Sequence, residues 1–408
     1  MCVILHARLL SMKVFILKKR QLLISTLVIL ISVLLTTWMY SLFTNHYYYM
    51  NFSKTRGLTV YDMYRSILVM MNQDAIHWSA KASETYQRGL KHHLDPRSSF
   101  QHLSISVIEK ESFVEQCNCY RKINVTRDRN EHHAFLKNNT CSQHSHDRGP
   151  NQKIIGFSFY AGHPSRHKTR KYFQGIVDNL KQIPDLYPNW ILRLYYDLEP
   201  DHPLMEMLCQ LACNDSNIDL CPVRNIPAVG DIRNVFAMIW RFFPCLDGQV
   251  THYLSRDLDS LLNAREVSAV VDWLKKSDSA FHFMRDHPVH SVEILGSAWG
   301  VRLRPIERSM MSAAFEAARS DSMYWAPRYA YGPDQGFLKR YVWPWAKWSS
   351  ISHDSYFCYK FPFTRPFPSQ RPFEDSNYVA SIVHEHDQLE VQCPERCRPK
   401  HHKDWLYC

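Results

Sequence analysis

The sequence contains no dense block of lysine or arginine and no recognisable nucleic-acid-binding motif. Its net charge of +10 is spread along the chain, so nucleic-acid binding is set aside. The excess argues weakly for smaller anionic partners such as nucleotides, phosphates or sulfated glycans. Acidic residues are absent from the first twenty positions, which carry Arg8, Lys13, Lys18, Lys19 and Arg20. Charge of either sign is then absent from Leu22 to Phe43, a run long enough to cross a bilayer as a helix. No small-x-small cleavage site comes after it, and the run exceeds the apolar core of a signal peptide, so an uncleaved anchor is expected over 21–43. Because the positive flank comes first, residues 1–20 are expected in the cytosol and the rest in the lumen or outside. Trp38, Tyr40 and Tyr47 to Tyr49 stand where an interfacial aromatic belt would lie. Zinc is set aside on spacing: Cys117-x-Cys119 is too close, and Cys209-x3-Cys213 and Cys393-x3-Cys397 share no register.

What is present agrees with a lumenal address. The cysteines from Cys117 to Cys408 all lie beyond the anchor and read as disulfides with one thiol left over. Asn51, Asn124, Asn138 and Asn214 begin glycosylation triplets on the same side. Aromatic residues make up 13% of the chain, suited to stacking on sugars or bases and equally to a large core. Residues 44–150 are polar and rich in histidine and read as a stem, its distal part tied by Cys117, Cys119 and Cys141 to the next domain.

Over 151–365 the texture becomes an alternation of strands and helices. Ile154 to Tyr160, Trp190 to Tyr196, Ile218 to Val223, His252 to Ser255 and Ala280 to Met284 read as strands. Tyr172 to Ile183 (after a basic loop, Arg166 to Lys171), Leu204 to Leu211, Asp231 to Phe243 and Ile306 to Ala318 read as helices. A further helix opens on Asn263-Ala-Arg-Glu266, which has the form of a capping box. Another opens at Pro333-Asp334, with proline near the first helical position. Such alternation predicts an α/β domain with a mostly parallel sheet flanked by helices. From 366 to 408, proline and cysteine predict an irregular tail tied by disulfides.

Ser255-Arg-Asp-Leu-Asp-Ser260 closes one of the strands. Residues i and i+2 of a strand point the same way, so Asp257 and Asp259 can present both carboxylates to one point. Hard oxygen ligands at a strand end suit Mg²⁺ or Mn²⁺, ions that keep waters and take few protein ligands. The competing reading is a solvated strand-to-helix turn. Carboxyl ends of strands are where open α/β sheets bind ligands, which favours the metal.

The anchor, stem, α/β domain and Asp-x-Asp together resemble a Golgi-type glycosyltransferase of the GT-A, Rossmann-like fold. The downstream order is similar to retaining enzymes of the glycogenin and related mannosyltransferase type: a glycine-flanked Trp299, then Asp334-Gln335, then His353. The likeness covers roughly Lys153 to Phe363, without the fuller Asp-Gln-Asp and Lys-Pro-Trp signatures of glycogenin. It implies Mn²⁺ or Mg²⁺ held by Asp257 and Asp259 with His353 as third ligand, and a nucleotide-sugar donor. Arg256, Arg166 and Lys168 would face the donor diphosphate, while Gln335 and Trp299 would contact sugar. Asp286 or Asp334 would serve as base in an inverting reaction. The partners implied are a nucleotide sugar, a glycan or glycoprotein acceptor and a Golgi or ER membrane, crossed once in type II orientation. The rival classes are a lectin-like lumenal binding protein and a metal-dependent phosphoester hydrolase. A hydrolase would need a second acidic or histidine cluster for its second metal.

Overall fold

The computed structural model describes residues 106–127, 138–160, 166–328, 330–371, 378–382 and 391–408, with only the backbone of Ser106 and of Arg166 to Lys168. The expected tail, anchor and most of the stem, with Asn51, lie outside the described residues. Among the described residues no helix is long and apolar enough to cross a membrane.

The chain is a mixed α/β structure built on one eight-stranded sheet. Its strands in chain order are β3 (Gln152–Tyr160), β4 (Ile191–Asp197), β5 (Ile218–Pro222), β6 (Val250–Ser255), β7 (Phe281–Arg285), β8 (Trp299–Arg302), β9 (Ser350–Asp354) and β10 (Thr364–Arg365). Across the sheet they run β10-β9-β7-β8-β6-β3-β4-β5. Every neighbouring pair is parallel except those of β8, which runs antiparallel to both β6 and β7. The chain winds outward from β3 through β4 to β5, then returns to place β6 on the other side of β3. The β3/β6 junction is therefore the point where strand order reverses, and a crevice opens there at the carboxyl ends.

Alternation divides the strand residues between two cores. Ile155, Phe157 and Phe159 of β3, with Leu254 of β6, join one core with Ile176, Leu180 and Ile183. Those three come from a helix spanning Arg166–Leu186. The same core takes Leu208 from the helix Pro203–Asn214 and Val270 and Trp273 from the helix Ala264–Lys276. On the opposite face Tyr253, Trp299, Phe242, Phe337 and Phe315 form a chain of aromatic contacts.

The helices are α1 (Gln143–His146), α2 (Arg166–Leu186), α3 (Pro203–Asn214), α4 (Ala237–Trp240), α5 (Ala264–Lys276), α6 (Pro305–Ala318) and α7 (Pro333–Phe337), the last continued by short helical turns to Ser349. Asn263 caps α5, accepting from the Glu266 N–H at 2.8 Å. The Glu266 side chain turns away to Arg256, so only half of a capping box forms. Two expectations about helices are corrected. The basic run Arg166 to Lys171 is the first turn and a half of α2, not a loop. The stretch Asp231 to Phe243 is not one helix; four residues of it form α4. The Trp240 indole donates to the carbonyls of Ile232 and Val235, which a helix would have used, and the Phe236 N–H goes to Tyr324 O.

The segment before β3 is folded onto this domain. β1 (Ser106–Val114) and β2 (Cys119–Arg127) form an antiparallel hairpin. Cys117–Cys209 and Cys119–Cys213 bind it to α3, and Cys141–Cys221 binds the next segment to β5. Closing a loop of 92 residues removes about 4–5 kcal/mol of chain entropy from the unfolded state. The neighbouring bridge adds much less, because its loop is already nearly closed. Arg121 is buried beneath the hairpin and donates to His144 and to carbonyls of α3 and β5. Burial alone would push Asp219 up, but Arg148, His144, Arg193 and Arg121 around it hold its carboxyl at about 2. The part of the chain expected to be distal stem is thus a wall of the domain. Cys358–Cys397 and Cys393–Cys408 tie the tail as expected, and Cys245 is the buried thiol left over. Asn124, Asn138 and Asn214 are all exposed.

Candidate functional site

β6 ends at Ser255, so Asp257 and Asp259 do not share a strand face as expected but lie in the turn that follows it. Leu254 enters the α2 core, Ser255 turns to the other face and donates to Gly296 O at 2.6 Å, and Arg256 turns back to Glu266 at 2.7 Å. Asp257 is then aimed at the far face, where its carboxylate accepts from the Arg241 guanidinium. Leu258 drops into the core as an anchor. Helix α2 presses on its backbone at Gly175, where a Cβ would lie 1.7 Å from Leu258 O. Only glycine permits that approach, and it fixes the two aspartates on either side of a buried leucine.

Asp259 has no cation in contact with its side chain among the described residues. Burial first, then the neighbouring Asp257, push its carboxyl up to about 6, with Lys171 of α2 and Arg241 opposing weakly. Tyr172, one residue on from Lys171, is raised to about 12 by burial and then by Asp259. Two close carboxylates whose repulsion is only partly relieved form a site that a cation would stabilise. Their oxygens are hard ligands, and Asp257 is 29% exposed, so solvent and substrate oxygens can complete a coordination shell. The pair offers two hard oxygen donors of the kind Mg²⁺ or Mn²⁺ takes, and among the described residues no group of three or more histidines, cysteines or carboxylates is assembled to hold a metal.

Opposite the pair, α7 begins at Gly332 in the left-handed region (φ 88°), with Pro333 as its first residue. This brings Asp334 to Arg241, whose second nitrogen donates to Asp334 Oδ2 at 2.7 Å. Burial raises the Asp334 carboxyl despite that guanidinium. Gln335 is half-buried beside it. Charged residues also gather at the end of β4. Tyr160, at the end of β3, donates to Arg328 O at 3.0 Å, and Arg328 pairs with Asp197 at 2.5 Å. Asp197, Arg224, Asp231 and Arg328 border a charged cavity of ≈ 590 Å³ there.

Four expected site residues are placed elsewhere. His353 is fully buried in β9, with Nδ1 2.7 Å from His282 Nε2 and Nε2 3.3 Å from Asp272. β7 and β8 stand between β9 and β6, so His353 is not brought to the aspartate pair. Asp286 is fully buried and fully engaged. It accepts from Arg265 at 2.8 Å, Arg371 and Ser355 at 2.7 Å and the Val379 N–H at 2.9 Å. Although burial opposes ionisation, Arg265 and Arg371 hold it far below the carboxylate range, which removes it as a base. Arg256 is buried against Glu266 and Ser255 O, and Trp299 is core between Phe242 and Tyr253. The side chains of Arg166 and Lys168 lie outside the described residues. Sequence reasoning passed over Arg241, Lys171 and Tyr172. The one available signal for Arg241 was a single charge inside the apolar run Phe236 to Phe243.

No family model matches the chain, and no curated protein matches it in sequence. Among solved structures, residues 1–349 of S. aureus TarS resemble it with 13% sequence identity and a TM-score of 0.29. That likeness covers 47% of this chain and 56% of TarS, so the chain spans little more than half of that structure. The functional reading rests on the site's own geometry.

Proposed function

We propose that the chain is a metal-dependent glycosyltransferase of the GT-A type, moving a sugar from a nucleotide-sugar donor to a glycan or glycoprotein in the secretory pathway. The observation that carries this reading is the under-compensated pair Asp257 and Asp259 at the carboxyl end of β6, where the strand order reverses. Asp257 and Asp259 would hold Mn²⁺ or Mg²⁺, and the bound ion would supply positive charge for the departing diphosphate. The protein's own groups set the stage for this. Lys171 adds a second cation beside Asp259. Asp334, held by Arg241, presents a fixed carboxylate that can orient a sugar hydroxyl, with Gln335 next to it. Five disulfides and three exposed glycosylation acceptors support an oxidising, lumenal setting, and the Golgi or ER membrane with type II orientation is proposed from the expected anchor over 21–43 alone.

The test is release of nucleoside diphosphate from a panel of nucleotide sugars by the full chain with Mn²⁺. Asp259→Asn is expected to lower turnover by about 100-fold or more, the scale of losing one electrostatic contact to a transition state, with a melting temperature no lower than that of the wild type. A wild-type chain that binds Mn²⁺ but turns over no donor would leave the lectin-like reading in its place.

A further inference from the structure

Resting on the lumenal setting of the proposed function, we propose that an N-linked glycan on Asn214 is a folded part of the domain. Its first sugars lie back along the apolar groove between α2 and α3 and cover it. The groove has a volume of ≈ 420 Å³, within the size range of pockets that hold small molecules. Phe173, Val177 and Leu180 of α2 form one side, and Met207 and Leu211 of α3 form the other. On each helix these positions are three or four residues apart, so they share a face. Met207 is 48% exposed. An apolar groove open to solvent marks a place where something binds.

The position of Asn214 names the occupant. It follows Leu211 by three residues, which puts it on the same face of α3, and it borders the groove itself. Side chains of a helix lean toward its N-terminus. Asn214 is the last residue of α3, so a sugar attached to it starts out over Leu211 and Met207. Ser216, also exposed, completes the acceptor triplet. The backbone around the attachment point is held in place. Cys213 is bonded to Cys119, the Asp215 carbonyl accepts from Arg121, and the Ser216 carbonyl accepts from Arg148 at 2.6 Å. The groove suits a sugar in chemistry as well as in size. A pyranose ring offers C–H groups to the apolar floor and hydroxyls to Lys181 and Gln210 at the rim. A protein partner would have to approach past a bulky glycan at the groove's own edge. Because α3 runs from the end of β4 back to the start of β5, Asn214 stands at the opposite edge of the sheet from the aspartate pair. The glycan therefore leaves the candidate site open. Asn124 and Asn138 are exposed but do not border the groove, which makes them internal references.

Release of N-glycans from the native full chain, made in cells that glycosylate, tests the assignment. Peptide N-glycosidase digestion would be followed site by site by mass spectrometry. Asn214 is expected to lose its glycan about tenfold more slowly than Asn124 and Asn138, as for a cleavable state about one tenth populated. Unfolding the chain first should make the rates equal. Met207→Glu puts a charge into the groove at a half-exposed position and keeps a good helix former there. It is expected to raise the Asn214 rate to that of the references. A bare Asn214 beside a glycosylated Asn124 or Asn138 would overturn the proposal and leave the lumenal setting standing. Equal release at all sites of the native chain would do the same. Slow release that persists in Met207→Glu would assign the protection to the backbone held by Arg121 and Arg148, and would overturn the groove as its cause. A chain glycosylated at none of the three acceptors would overturn the lumenal setting itself.

Discussion

Asp257 and Asp286 both sit just beyond the end of an inner strand of one sheet, β6 and β7, and both are flanked by an arginine in sequence. Their environments are opposite. Asp286 is surrounded by Arg265, Arg371, the Ser355 hydroxyl and a backbone N–H, and has no oxygen to spare. Asp257 shares one guanidinium with Asp334 and faces a neighbour of its own charge. The first arrangement stabilises a fold, because every lone pair is satisfied in a dry interior. The second leaves negative charge for something outside the chain to neutralise. Counting donors around a carboxylate, more than noting its place in a motif, separates scaffold from site.

The comparison can be broken most forcefully at Asp286. Replacing it with alanine strands Arg265 and Arg371 as buried unpaired charges, and a loss of about 3–5 kcal/mol in unfolding free energy is expected. Denaturant unfolding of Asp286→Ala beside Asp259→Asn would show it, the latter losing no stability. Equal losses in both would erase the distinction. A smaller effect is expected at Gly175. Alanine there must push α2 away from Leu258 O, at a cost of about 1–3 kcal/mol for overpacking, and Mn²⁺ affinity should fall with it. A Gly175→Ala chain with unchanged Mn²⁺ affinity would show that the close approach does not set the geometry of the pair.

The smallest expected effect is a pH dependence. Asp259 titrates near 6 in the folded chain, above its ordinary range, so its contribution to metal-free stability is present in acid and lost as pH rises through about 6. Metal binding has the opposite sign, since the ion requires the carboxylate. With a pKa near 6, the ionised fraction rises about tenfold between roughly pH 5 and pH 7. Mn²⁺ affinity should rise by the same factor and then level off. A flat profile would mean that Asp259 is already ionised at pH 5.

Legibility tracked the range of the interactions involved. The strands β3 to β7 were readable as compact apolar runs, and the helices α2, α3, α5 and α6 because their apolar positions repeat at helix spacing. β8 and β9 were not. β8 has four residues, one of them glycine, and β9 reads Ser-Ile-Ser-His-Asp, so neither shows the apolar run that marks the equally buried β5 and β7. Without β9 in view, nothing in the sequence separated His353 from the aspartate pair. Asp231 to Phe243 failed the other way: it has helical spacing, but the Trp240 indole takes the carbonyls the helix needed. Hairpin β1–β2 looked like stem because its stability comes from cystine bridges and from Arg121 buried under it.

By itself the sequence determined the alternating α/β order, the cysteines that pair around one buried thiol, and the aspartates that meet at a strand end. Each of these depends on neighbours within a few residues or on composition, which a linear chain carries intact. Tertiary structure alone decided which charges face which. Arg241 comes from a helical turn, Asp334 from a helix 93 residues further on, and Lys171 from the helix after β3. Their meeting at Asp257 and Asp259 depends on the order in which strands are laid side by side, and no local pattern encodes that order.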